Sequence, residues 1–326
     1  MSHYYLANIH EDVTSEPIRK GFGRGLRTAG EMNENVVALC ADLTESTQMS
    51  LFKEAFPERF IEIGIAEQNL VTTASGLAAM GKIPYCSSYA AFSPGRNWEQ
   101  IRTTICLNDM PVRVIGSHAG VSVGPDGATH QMLEDIALMR VLPNMVVIAP
   151  GDSLEAERAT IALASDPRPA YMRLAREATP ILSTEKTPFE IGKAYVYSEG
   201  RDITIISTGT MTYHALKAAE ALYRDGIDAE VIHCPTIKPL DSATILASVE
   251  KTRLVITCEE AQAAGGLGGA VSELLSEHLP VPIRRIGVQN RFGESGTPDE
   301  LFDHFGLSAQ HIMMAAHEWM KRKVGA

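Results

Sequence analysis

Four segments of the chain carry side chains that could do chemistry. In Gly64-Ile65-Ala66-Glu67-Gln68-Asn69, a glutamate stands where a short apolar run gives way to a helical pattern rich in small residues. A carboxyl group at such a junction lies at the carboxyl edge of a sheet, where open α/β folds bind ligands. A first-turn glutamate favoured by the helix dipole is the plainer reading. The stretch from Ser117 to Gln131 places His118, Asp126 and His130 in one glycine-rich loop after another apolar run. Two imidazoles and a carboxylate this close together suit acid–base work near neutrality; a solvated loop of turn residues would look the same. With no third soft ligand, the two histidines match no zinc pattern. In Tyr171-Met172-Arg173-Leu174-Ala175-Arg176, two arginines end a strand pattern. Their planar forks suit a phosphate or carboxylate, and a surface ion pair is the commoner fate of an arginine. The run Ala264-Gly265-Gly266-Leu267-Gly268-Gly269-Ala270 fails the dinucleotide fingerprint, because Val271 stands where the third glycine belongs. It reads as a tight helix entry.

These segments need a frame, and the periodicity predicts one. Short β-branched runs at 36–40, 60–63, 83–87, 112–116, 145–149 and 170–174 alternate with helical patterns at 16–31, 66–80, 96–108 and 152–165. Such alternation predicts a parallel sheet covered by helices on both faces. The stretch 177–188 lacks periodicity, carries two prolines and reads as a linker. A second α/β unit follows, with strands expected at 203–207, 229–233, 253–257 and 283–288. Its helices are expected at 211–225, 265–278, 298–305 and 308–323. The expected fold class is α/β, with two doubly wound domains, 1–182 and 183–326. A length of 326 residues is enough for two separate cores.

The charge balance narrows the function classes. With 29 Lys plus Arg against 40 Asp plus Glu, the formal net charge is −11, which argues against a nucleic-acid or anionic-membrane binder. Five cysteines without a C-x-x-C pair argue against a disulfide framework or structural zinc. No export signal is read at the amino terminus and no apolar run is long enough to span a membrane. The expectation is a cytoplasmic protein.

Taken in order, several motifs resemble the carboxyl-terminal half of transketolase: Ala41-Asp42-Leu43, the Glu67 segment, Pro84 to Phe92, the loop from His118 to Gln131, and Gly293-Glu294-Ser295-Gly296-Thr297-Pro298. The resemblance covers nearly the whole chain. It implies a pyrimidine-binding domain followed by a transketolase C-terminal domain, and a cofactor, thiamine diphosphate. Glu67 matches the carboxyl group that bonds the aminopyrimidine ring. Tyr89 and Phe92 match the aromatic residues stacked on that ring, with Trp98 adding to the wall. Asp42 and Leu43 match positions near the thiazolium. His118 and His130 resemble histidines that contact substrate oxygens and shuttle protons, and Asp126 an aspartate that reads a substrate hydroxyl. Arg19, Ser46 and Arg176 match places that bind the sugar's terminal phosphate.

The family holds the diphosphate through a divalent metal, Mg2+ or Ca2+, on a Gly-Asp-Gly segment in another domain. The chain carries no such run in the right context, with Gly151-Asp152-Ser153 as its nearest approach. The resemblance therefore implies one subunit of a split transketolase of the pentose phosphate pathway, inactive alone. An amino-terminal subunit would supply the diphosphate site and share the cofactor. The expected assembly is a homodimer or an α2β2 heterotetramer, acting on sugar phosphates. Three alternatives remain open. They are a two-chain transketolase for an unusual sugar, a deoxyxylulose-phosphate synthase or 2-oxoacid dehydrogenase β-type subunit, and a non-catalytic regulatory paralogue.

Overall fold

The structure, a computed structural model, describes residues 6–9 and 13–324. Part of the amino-terminal stretch read for an export signal lies outside the described residues. Fourteen strands are present among those described: β1 (Ser15–Pro17), β2 (Val36–Cys40), β3 (Phe60–Glu62), β4 (Ile83–Tyr89), β5 (Arg113–Ser117), β6 (Val146–Ile148), β7 (Ala170–Arg173), β8 (Ala178–Pro180), β9 (Tyr195–Ser198), β10 (Ile203–Ser207), β11 (Ala229–His233), β12 (Thr236–Lys238), β13 (Val255–Gln262) and β14 (Ile283–Val288). The helices are α1 (Ile18–Met32), α2 (Ser50–Ala55), α3 (Glu67–Ala79), α4 (Trp98–Gln100, continuing as a wider turn to Cys106), α5 (Asp135–Arg140), α6 (Ser153–Leu163), α7 (Met211–Arg224), α8 (Ser242–Thr252), α9 (Leu267–His278), α10 (Pro298–His304) and α11 (Ala309–Val324).

The first sheet runs β12-β6-β7-β5-β4-β2-β3, with every pair parallel except β12 on β6. Strands β2, β5 and β6 are buried along their whole length, as the unbroken apolar runs predict for a sheet covered on both faces. The second sheet runs β14-β13-β10-β11-β9, parallel apart from the edge strand β9. Both units are α/β and doubly wound, as expected. They are not independent slabs: β12, from the second half of the chain, extends the first sheet.

Several features differ from the periodicity reading: α2, α5, β9 and β12 form where no element was expected, and three other differences bear on the fold. The stretch 177–188 is not all linker, since β8 pairs antiparallel with β1 and lies away from any sheet centre, where proline is tolerated. The linker is also pinned: the Asp152 carboxylate accepts from the Leu182 and Ser183 amides and the Ser183 hydroxyl. No helix was expected over 242–252; α8 forms there, with Asp241 capping it by accepting from the Thr244 amide. The first helix starts at Ile18 rather than 16, because Pro17 stays extended ahead of it.

Helix α1 carries three glycines between Gly21 and Gly25, costly in a helix interior. Packing explains them. A Cβ at Gly21 would lie 1.7 Å from the Ser153 carbonyl oxygen, and one at Gly25 2.6 Å from that of Glu157. Gly21 and Gly25 let α1 and α6 close on each other backbone to backbone, and Gly23 leaves room for the Gln48 carbonyl oxygen, 2.5 Å from where its Cβ would be. The five cysteines are free and buried, and no helix among the described residues is long and apolar enough to cross a membrane.

Candidate functional site

Five neighbouring strands of the first sheet deliver the predicted residues to one edge. In the order β7-β5-β4-β2-β3, their carboxyl ends lead to Arg176, His118, Tyr89, Asp42 and, through a short turn, Glu67. The chain leaves β2 toward β3 and leaves β4 toward β5, so the crevice between β2 and β4 is the topological switch point where such folds bind ligands. Asp42 and His118 both have left-handed backbones, with φ of 57° and 58°. Non-glycine residues held there cluster at functional sites.

Glu67 is the first residue of α3 and only 2% exposed. Its backbone carbonyl accepts from Asn97 Nδ2 at 2.8 Å. Its Oε2 accepts from Arg96 at 2.6 Å, and that arginine lies over the Phe92 ring, 4.8 Å from its centroid. Arg96, half-exposed, is a site residue the sequence reading missed. Its signal was weak: one arginine four residues past Phe92, in a segment read as helix. The Trp98 indole, expected on the aromatic wall, instead packs against the core and donates to the Leu138 carbonyl. The turn that begins α4 points its ring inward.

Tyr89 and Phe92 are near-parallel, with centroids 6.3 Å apart and planes at 22°. The two histidines lie against them: His118 stacks on Tyr89 at 3.9 Å, and His130 meets Phe92 edge-on at 5.5 Å. His118 is buried, and its Nδ1 lies 2.8 Å from the Ser117 hydroxyl. Burial, then the charges of Arg19, Arg176 and His130, push its pKa from 6.5 down to about 3. A ring so placed stays neutral near pH 7, able to donate at one nitrogen and accept at the other.

Arg19, Ser46 and Arg176 also come together. Arg19 donates to the Ser46 carbonyl at 2.7 Å and to the Arg176 carbonyl at 3.1 Å. Arg176 donates to the Val123 carbonyl at 2.8 Å and lies 3.5 Å from Asp126 and 3.3 Å from Glu177. Burial and the neighbouring Arg176 lower the pKa of Arg19. Two guanidinium groups facing one space attract an anion. Arg173 is different. It is buried on Asp135, which also accepts from Tyr171, so it braces the strand rather than facing the cleft.

Asp42 is exposed at the rim, its amide held by Glu62 Oε1, which also takes the Gly64 amide; Leu43 packs against the core beneath. Glu62 was not singled out in the sequence; it ties the turns after β2 and β3. The glycine run before α9 proves to be a carboxylate seat. The Leu267 and Gly268 amides each donate to buried Glu259 at 2.8 Å, and a Cβ at Gly266 would fall 1.8 Å from its Oε2.

The chain matches two family models: the transketolase pyrimidine binding domain over residues 16–181 and the transketolase C-terminal domain over residues 192–312. A putative transketolase C-terminal section from Methanocaldococcus jannaschii is 43% identical, over 94% of this chain and 97% of that one. A 6-deoxy-6-sulfo-D-fructose transketolase subunit from a Clostridium species is 41% identical, over 90% of this chain and 91% of its own length. A solved structure described as a split gene transketolase, inactive β4 tetramer, superposes with a TM-score of 0.88 at 42% identity, covering 94% of this chain and 98% of that one.

Proposed function

The chain belongs to the transketolase family, and from that premise we propose that it is the carboxyl-terminal subunit of a split, thiamine-diphosphate-dependent transketolase. It would transfer a two-carbon ketol unit from a ketose phosphate to an aldose, joined by a chain that binds the diphosphate and Mg2+ or Ca2+. The observation that carries the reading is the convergence at one sheet edge. A buried carboxyl at a helix start, two near-parallel aromatic rings, two histidines and two arginines stand along one sheet edge.

The residues fit one end of the cofactor. Glu67 and the Tyr89–Phe92 pair suit a flat aminopyrimidine, and Asp42 with Leu43 would lie toward the thiazolium. For the diphosphate end, no cluster of three or more His, Cys, Asp or Glu side chains among the described residues is placed to hold a metal. We assign that end to the partner. When bound, the cofactor supplies a carbon nucleophile for the ketose carbonyl. The chain's residues do the rest. Glu67 would hydrogen-bond the ring nitrogen, which requires Arg96, 2.6 Å from its Oε2, to move aside so that this oxygen is free for the ring. His118 and His130 hold substrate oxygens and move protons to and from them, and Asp126 accepts a substrate hydroxyl. Arg19, Ser46 and Arg176 bind the terminal anion.

A second reading concerns the sugar. One relative's name specifies a sulfonated fructose, and the Arg19–Arg176 pair fits a sulfonate as readily as a phosphate, since both present tetrahedral oxygens. We place the domain division after residue 182 and the protein in the cytoplasm.

The test is ketol transfer from xylulose 5-phosphate to ribose 5-phosphate. The purified chain is assayed with thiamine diphosphate and magnesium, with and without a chain carrying the Gly-Asp-Gly segment. Activity only in the pair is expected, and Glu67→Ala should abolish it while the complex still forms. Activity in the lone chain, or a Glu67→Ala complex that keeps most of its rate, would sink the assignment. A complex active only with a sulfonated ketose would select the second reading.

A further inference from the structure

The loop that carries Asp126 and His130 is held in place by the other half of the molecule. Its first residues are fastened to the first unit: the Ala119 amide donates to the Leu174 carbonyl at 3.1 Å, and the Gly120 amide to the Met132 carbonyl at 2.9 Å. Beyond Gly120 the internal backbone bonds are short turns, from Gly127 to the Gly124 carbonyl and from His130 to the Gly127 carbonyl. Turns of that kind shape a loop without fixing its height over a sheet.

Glu260 supplies the fixing. It lies near the end of β13, in the second unit, and is 1% exposed. Its Oε1 accepts from the Ser122 amide at 2.7 Å and its Oε2 from the Thr210 hydroxyl at 2.6 Å. A bond from an amide to a buried carboxylate is charge-assisted and about twice as strong as a neutral one. The fit is tight, since a Cβ at Gly120 would fall 2.2 Å from Glu260 Oε1. Two further contacts reach the second unit: Gln131 Nε2, on the loop itself, donates to the Glu294 carbonyl as well as to those of Val121 and Gly124, and the loop closes on Ser295, where a Cβ at Gly127 would fall 2.5 Å from its Oγ. Arg176 also holds Val123 and Asp126, but that arginine is the one assigned to the substrate anion. When it turns to the anion, the hold from the second unit remains.

We propose that Glu260 is a positioning residue of the substrate site. Through the Ser122 amide, the second unit sets where Asp126 and His130 stand against the sugar. The kinetic part of this proposal rests on the ketol-transfer reading above; the structural part does not.

The test uses the assembled two-chain enzyme and the lone chain side by side. In the complex, Glu260→Ala should lower kcat/KM for the sugars about 10- to 100-fold, the effect expected when substrate contacts shift by about an ångström. Affinity for thiamine diphosphate, followed by intrinsic fluorescence, should stay within about threefold, because Glu67 and the aromatic pair stand on other elements. Glu260→Gln should recover most of the loss, since a carboxamide still accepts from Ser122 and can donate to Thr210. In the lone chain, hydrogen exchange over residues 120–126 should quicken in Glu260→Ala and not in Glu260→Gln, with α3 unchanged in both. Wild-type kcat/KM in Glu260→Ala would overturn the proposal. So would a parallel loss of cofactor affinity, or equal losses in both variants. Should Glu260→Ala fail to fold, Thr210→Val frees one carboxylate oxygen only and should lower kcat/KM by about threefold or more; an unchanged value there overturns the proposal. A wild-type complex without ketol transfer counts against the assigned function instead, and the exchange measurement still decides the role of Glu260.

Discussion

His118 shows how a single residue's environment sets its chemistry. Its type and loop suggested acid–base work near neutrality. Burial beside two arginines makes it a neutral ring down to a pKa of about 3. The consequence for stability has a definite sign. Between about pH 6.5 and pH 3 the unfolded chain binds a proton at this position and the folded chain does not, so stability falls as pH drops through that window. His118→Asn removes the contribution. Its denaturant midpoint should therefore decline less than the wild type's as the pH is lowered from about 7 to about 5. Equal slopes would show that His118 charges freely in the folded state. Arg96 teaches a related lesson. Its sequence position marked it only weakly, yet it occupies the Glu67 carboxylate.

Among the elements, α1 and α3 each contain glycine, for opposite reasons. Gly21 lies against the Ser153 backbone, whereas a Cβ at Gly76 of α3 would meet nothing within 4 Å. Gly21→Ala should cost about 1–3 kcal/mol, because the clash is with backbone and α1 must move off α6. Gly76→Ala should be neutral or stabilising by up to about 1 kcal/mol, since alanine is the better helix former. Chemical denaturation of both variants checks the contrast, and a destabilised Gly76→Ala with an unaffected Gly21→Ala would contradict the packing described. Most elements were legible from apolar periodicity, including all the strands that carry the site. Among the exceptions, α2, α5, β9 and β12 are only three to six residues long, too short for a period to show. Helix α8 was missed although Asp241 caps it, and β8 was hidden by prolines that an edge pairing tolerates.

For the whole molecule, the first unit leaves large apolar side chains bare. Met80 and Leu107 are 81% and 75% exposed. They stand at the same end of two helical segments that run side by side, linked from Glu67–Asn97 to Ser75–Thr104. Exposed apolar groups clustered in this way mark association surfaces. The lone chain is expected to self-associate. Light scattering should give a mass above one chain, and Met80→Asp combined with Leu107→Asp should shift it toward the monomer. A monomeric wild type would remove this face from the assembly.

The sequence by itself determined the α/β architecture, the order of the motifs and the residue types brought to the sheet edge. It could do so because strand burial and strand-to-helix junctions are local properties written in periodicity. The tertiary structure decided the rest. It turned Arg173 into a brace, packed Trp98 against the core, set Arg96 on Glu67, neutralised His118, and brought Glu260 from 138 positions away to the Ser122 amide. Each of these depends on contacts between residues far apart in the chain, whose distances no local pattern encodes.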